Sequence, residues 1–120
     1  MELRIVRPVT DEVLDAACRF YGAVLGWPLT HHWDAPDRGR IYGYGDVARI
    51  ELIQAPTTEP VTGVFLSVQV ADVDAIVRRL EAADFAVVEP PTDRPWGHRN
   101  AAVLDPTGLR VVFFAPTVSA

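Results

Sequence analysis

A chain of 120 residues is about one domain's worth of core, and its 49% hydrophobic and 22% charged residues are those of an ordinary globular protein. A net charge of −5 without any cluster of Lys or Arg argues against nucleic acid as a partner, because phosphate contacts supply most of that affinity. No apolar run approaches the roughly 20 residues that span a bilayer, the N-terminal MELRIVRPVTDE lacks a signal-peptide layout, and a single cysteine suits a reducing compartment, so a cytoplasmic protein off the membrane is expected.

ELRIVR (2–7) with Val9 reads as a short strand ended by Pro8. Thr10 is a suitable N-cap, and Asp11 and Glu12 suit the positive end of a helix. Leu14, Cys18, Tyr21 and Leu25 recur on one helical stripe, and Gly26 is a natural stop. Cys18 on that stripe reads as an inert core thiol. Trp27 to Trp33 is a candidate strand, DAPDRG (34–39) a loop, RIYGYG (40–45) a strand, and ARIELIQ (48–54) another. The aperiodic stretch 57–63 reads as a linker between modules 1–56 and 64–116. VFLSVQV (64–70) is then a strand, and Asp72 caps a helix with Val73, Ile76, Val77 and Leu80 on its apolar side. FAVVEP (85–90) is a strand, PTDRPWG (91–97) a loop, HRNAAVL (98–104) a strand, DPTG (105–108) a turn and LRVVFF (109–114) the last strand.

Both halves therefore run strand, helix, strand, strand, strand. They also keep register: Val9-x-Asp11 matches Val70-x-Asp72, and Arg49-Ile50-Glu51-Leu52 matches Arg110-Val111-Val112-Phe113, each displaced by 61 positions (72 − 11 and 110 − 49). A shared displacement at both ends of two modules indicates an internal duplication.

The doubled βαβββ module, with FYGAVLG (20–26) closing the first helix and LDPTGLRVVFF (104–114) carrying the last turn, resembles the vicinal oxygen chelate superfamily of glyoxalases, bleomycin-resistance proteins and extradiol dioxygenases. The resemblance implies an α+β fold in which two βαβββ modules make an eight-stranded curved sheet around a cavity. It also implies four inward positions that in metal-using members are His, Gln or Glu. Carried onto this sequence they fall at Arg4, Glu51, Phe65 and Val112. A catalytic metal wants about three protein ligands, so one carboxylate beside an arginine implies neither a metal nor another resident cofactor. The expected function is capture of an aromatic or amphipathic small molecule, as in the metal-free bleomycin-resistance-like members. The alternative is a glyoxalase-type lyase or isomerase with a displaced metal site or metal-free acid–base chemistry, for which Glu51 and His98 are the candidate catalytic groups. The superfamily also implies a homodimer.

Glu51 itself admits two readings. By strand parity it shares a face with Arg49 and Ile53, and with Arg4 and Val6 on the first strand, so it either pairs with Arg4 in the wall or orients a polar ligand there. Trp33, Tyr42, Tyr44 and Trp96 are the aromatic candidates for lining the cavity; Trp33 and Trp96 serve equally well as caps on sheet ends or in a subunit interface. His31 and His32 are neighbours on a strand, so only one reaches a given face. His98 opens a strand and suits a general base if it reaches the cavity. The loops 34–39 and 91–97 are expected at the rim.

Overall fold

The computed structural model describes residues 1–117. Its contacts divide the chain into two compact units, Met1–Pro60 and Val61–Ala120. The first contains β1 (Leu3–Val9), α1 (Asp11–Cys18), β2 (Leu29–Trp33), β3 (Gly39–Tyr44) and β4 (Ala48–Gln54). The second contains β5 (Phe65–Gln69), α2 (Val73–Ala82), β6 (Val87–Asp93), β7 (His98–Leu104) and β8 (Arg110–Pro116). The eight strands bond as two four-stranded sheets, ordered β1-β4-β3-β2 and β5-β8-β7-β6. Each is mixed, with one parallel pair that needs the helical crossover and two antiparallel pairs.

The duplication holds at the level of hydrogen-bond register. Arg4 opposes Arg49 in the first unit and Phe65 opposes Arg110 in the second, each displaced by 61 positions (65 − 4 and 110 − 49). The displacement also holds for the next strand pair, where Gly39 opposes Ile53 and Asn100 opposes Phe114. It breaks only at β2 and β6, where bulges shift the pairing.

Each sheet buries one face. In the first unit Val9, Ile50, Leu52 and Tyr42 pack with Leu14, Phe20 and Tyr21 of the helical segment. In the second, Val68, Val111, Phe113, Ala101 and Val103 pack with Val73, Val77 and Leu80 of α2. Asp72 caps α2 by accepting from Ala75 N at 3.0 Å, as its position requires. The turn before β8 is held by buried Asp105, whose Oδ1 accepts from Thr107 N, Thr107 Oγ1 and Leu109 N at 2.7–3.0 Å, while Gly108 takes φ +89°.

Several boundaries differ from the sequence reading. Pro8 does not end β1; the strand runs through it, and β1 ends its sheet's order with β4 as its neighbour, a place that tolerates proline. The first helix changes to a π-helical turn over Arg19–Val24. The wider turn turns Phe20 inward beside Tyr21, their rings 4.8 Å apart, although Phe20 lies off the apolar stripe read at 3.6-residue spacing. Residues 91–93, expected in a loop, extend β6 through Pro90 and Pro91 at the far end of that sheet's order. No helix among the described residues is long and apolar enough to cross a membrane.

Candidate functional site

The face of each sheet turned from its helix carries Glu51 in the first unit and Glu89 in the second, and the two units use it differently. In the first unit the register places His31, Ile41, Glu51 and Val6 in one row across the sheet, flanked by the row Trp33, Gly39, Ile53 and Pro8. Directly opposed residues project to the same face, so Glu51 shares a face with Trp33 and His31. Glu51 Oε1 lies 3.0 Å from Arg4 Nη1, the predicted pair. Arg4 also donates Nε and Nη2 to Glu2 Oε2, at 2.9 and 2.8 Å, and Arg49 donates Nε to Glu2 Oε1 at 3.2 Å. Glu51, Arg4, Glu2 and Arg49 thus alternate in sign along a chain of contacts. Arg4's hydrogen bonds hold the Glu2 carboxyl below its ordinary range. Arg49 spends its Nη groups on the carbonyls of Gly45, Asp46 and Ala48 in the β3–β4 turn.

Two aromatic candidates fall on the wrong side of this sheet for a site with Glu51. Tyr42 opposes Ile50, not Glu51, and its ring packs so closely on Gly22 of the π-helical turn that a methyl there would meet it at 2.8 Å. Burial, and secondarily the Cys18 thiol, push the Tyr42 phenol well above its ordinary range, as befits a core residue. Tyr44 follows on the same face, its ring 5.0 Å from Trp27. Strand parity had grouped both tyrosines correctly with each other, but not with the helix face. Trp33 does lie on Glu51's face, stacked over Gly39 and 5.7 Å from the His31 ring.

In the second unit the open face holds a cavity of about 480 Å³. Its floor is the row Ser67, Val112, Ala102 and Glu89. On one side stands the row Phe65, Arg110 and Leu104, and on the other Gln69, Phe114, Asn100 and Thr92. Phe65 and Val112 therefore share a site, and the loop before β7 brings Trp96 and Arg94 over it. Glu89 ties the arginines together: Arg110 Nη2 donates to its Oε1 at 2.7 Å and Arg94 Nη2 to its Oε2 at 3.1 Å. Arg110 also lies over the Phe65 ring, 5.4 Å from its centroid, and Arg94 lies 6.0 Å from that of Trp96. His98 is on the same face but not in the cavity wall; it stacks on Phe114, ring centroids 4.9 Å apart.

Two buried polar atoms of the cavity wall, Asn100 Oδ1 and Arg110 Nε, have no hydrogen-bond partner among the described residues. Such groups are uncommon because each forfeits its hydration without replacement. Phe65 and Trp96, each more than 60% exposed, add a large apolar area around them. The cavity thus has an aromatic rim, a floor in which Val112 and Ala102 lie between Ser67 and Glu89, and the polar groups of Arg94, Arg110 and Asn100 around it.

The metal positions implied by the resemblance do not fit a metal. In the first unit the carboxylate of Glu51 is paired with the Arg4 guanidinium, which would repel a cation. In the second, Phe65 and Val112 offer no donor atom. No group of three His, Cys, Asp or Glu among the described residues is arranged to hold one elsewhere.

Arg110, Asn100, Glu89, Ser67 and Arg94 were not singled out from the sequence. Two signals were legible there. Arg110 repeats Arg49 at the same displacement, two residues from Val112 and so on its face, and Glu89 interrupts an apolar strand just as Glu51 does.

The glyoxalase/bleomycin resistance protein/dioxygenase superfamily model matches residues 4–113. An uncharacterized protein of Mycolicibacterium smegmatis is 31% identical over 113 residues, covering 90% of this chain and 89% of its own length. The crystal structure of an antibiotic binding protein from a Streptomyces species superposes with a TM-score of 0.75 at 28% identity, covering 97% of this chain and 95% of that one. Glyoxalase I from Zea mays shares the fold at a TM-score of 0.80 and 18% identity, this chain spanning 47% of that one. With nearly the full length matched, the chain belongs to the glyoxalase/bleomycin resistance protein/dioxygenase superfamily.

Proposed function

We propose that this protein captures a small aromatic or amphipathic molecule without a metal, on the open face of its second sheet. The observation that carries the reading is the cavity walled by Phe65, Val112 and Trp96, where Phe65 and Trp96 each leave more than 60% of their surface exposed. A volume of about 480 Å³ is within the range of small-molecule sites. Rings flanking the cavity suit a planar body, each aromatic contact adding about 0.5–1.5 kcal/mol beyond the area it buries. The 28% identical antibiotic binding protein supports capture of a small molecule. In this reading Arg4 and Glu51 are a structural ion pair, already balanced by Glu2 and Arg49.

The test is a thermal-shift screen of aromatic antibiotics and metabolites, followed by calorimetric titration of the hits. A ligand at 100 times its Kd adds about 2.7 kcal/mol of stability, a readily measured rise in Tm. Trp96→Ala is expected to weaken a hit by roughly tenfold, given the aromatic area lost. Glu51→Ala is expected to leave its affinity unchanged within twofold. A screen without hits, or an affinity that follows Glu51 and ignores Trp96, overturns the reading.

A further inference from the structure

Positive charge is the minority in this chain, which has 16 acidic and 11 basic residues. Away from the cavity, paired arginines draw on more than one carboxylate. Arg4 bonds Glu2 and Glu51, Arg38 bonds Asp11 and Asp15, and Arg99 bonds Asp74 and Asp93. At the cavity the ratio is inverted. Arg94 and Arg110 share the one carboxylate of Glu89, each giving it one N–H at 3.1 and 2.7 Å. A guanidinium carries five N–H groups, and these two make no other hydrogen bond among the described residues.

The same strand position in the first unit is an internal control. Arg49 stands where Arg110 stands in the repeat, yet it bonds Glu2 and the carbonyls of Gly45, Asp46 and Ala48. Strand geometry alone therefore does not leave an arginine short of acceptors. The charged residues lining the cavity are Glu89, Arg94 and Arg110, so its net charge is +1 (two cations less one anion). The side chains of Arg94 and Arg110 remain 32% and 28% exposed, which leaves that charge open to an incoming group.

Charge and apolar area coincide here. Arg110 lies over the exposed Phe65 ring and Arg94 beside the exposed Trp96 ring, 5.4 and 6.0 Å from their centroids. A flat body laid against either ring therefore brings its substituents to a guanidinium. A neutral apolar body would strip water from those N–H groups and return no acceptor, which is costly for charged donors. A cation would meet two guanidiniums already placed at the rings. A carboxylate accepts from arginine by charge-assisted bonds and cancels a charge of +1. Taking capture at this cavity as given, we infer that the ligand is an aromatic monoanion, its ring against Phe65 and Trp96 and its carboxylate held by Arg94 and Arg110.

Three naphthalenes of nearly one shape test this by isothermal titration of the full chain: 6-hydroxy-2-naphthoate, its uncharged methyl ester, and the cation 6-(aminomethyl)-2-naphthol. The acid is expected to bind about tenfold tighter than the ester, and the amine more weakly than either. Raising salt from about 0.05 M to about 0.5 M should shrink the ratio of acid to ester several-fold, because partly exposed charges are screened. Arg94→Gln should bring that ratio close to one, since Glu89 then balances Arg110, while ester affinity stays within about twofold. The wild-type series and its salt dependence decide the matter even if the variant folds poorly. An ester that binds as tightly as the acid, an amine that binds tightest, or an acid preference untouched by Arg94→Gln overturns this inference and leaves capture of an aromatic molecule standing. Binding of none of the three overturns both.

Discussion

Arg110 Nη2 stands 2.7 Å from Glu89 Oε1, and the other oxygen of that carboxylate takes Arg94 at 3.1 Å. One glutamate thus sets the position and the charge of two cationic groups around the cavity. Replacing Glu89 by Ala raises the charge of this trio from +1 to +2 and returns Nη2 of Arg110 to the site. The expected result is that an aromatic carboxylate such as 6-hydroxy-2-naphthoate gains about tenfold in affinity, as a charge-assisted hydrogen bond is worth roughly 1.5–3 kcal/mol. The gain should shrink as salt rises, because the groups are partly solvated. Titrations at two ionic strengths check both points.

Gly39 is small because Trp33 lies on it. A methyl group at that position would overlap the indole ring. Gly39→Ala is expected to destabilise the protein by about 1–3 kcal/mol through overpacking. In a Trp33→Ala background the same change should cost little. Urea unfolding of the two single variants and the double variant measures the coupling, and additive losses would show that the ring is not the obstacle.

Asp105 organises the turn that launches β8 and so aims Arg110 and Val112. Its Oδ1 satisfies two backbone N–H groups and the Thr107 hydroxyl, and the residue is 3% exposed. Asp105→Ala should cost on the order of 3 kcal/mol, since it orphans buried donors. Asp105→Asn, which keeps an acceptor oxygen, should cost less. Chemical denaturation of the pair orders them.

Asp74 on α2 meets Arg99 of β7 in a two-point pair, and that hydrogen bonding holds its carboxyl below the ordinary value of about 4. A carboxylate whose folded pKa is depressed stabilises the fold above its unfolded pKa. That contribution is lost as pH falls through the folded value. Wild type should therefore lose Tm between pH 5 and pH 3, and Asp74→Asn should lose less over the same interval while starting lower at pH 7. Melting curves across this range test the sign; parallel curves would remove Asp74 from the account.

Much of this architecture was written in local pattern. Alternation in ARIELIQ, the capping Asp72, the DPTG turn and the displacement of 61 positions are short-range or repeated signals, and they sufficed for the elements, the duplication and the Arg4–Glu51 pair. The tertiary structure decided which face each strand turned to its helix. Tyr42 and Tyr44 alternate as any strand residues do, and only the pairing of Tyr42 with Ile50 and its packing on Gly22 placed Tyr42 in the core. It also decided which charges were spent. Arg49 and Arg110 are the same letter at the same repeat position, yet one bonds Glu2 and a turn, and the other bonds Glu89 and lies over the Phe65 ring. Saturation depends on neighbours distant in sequence, and a linear pattern carries no measure of that distance.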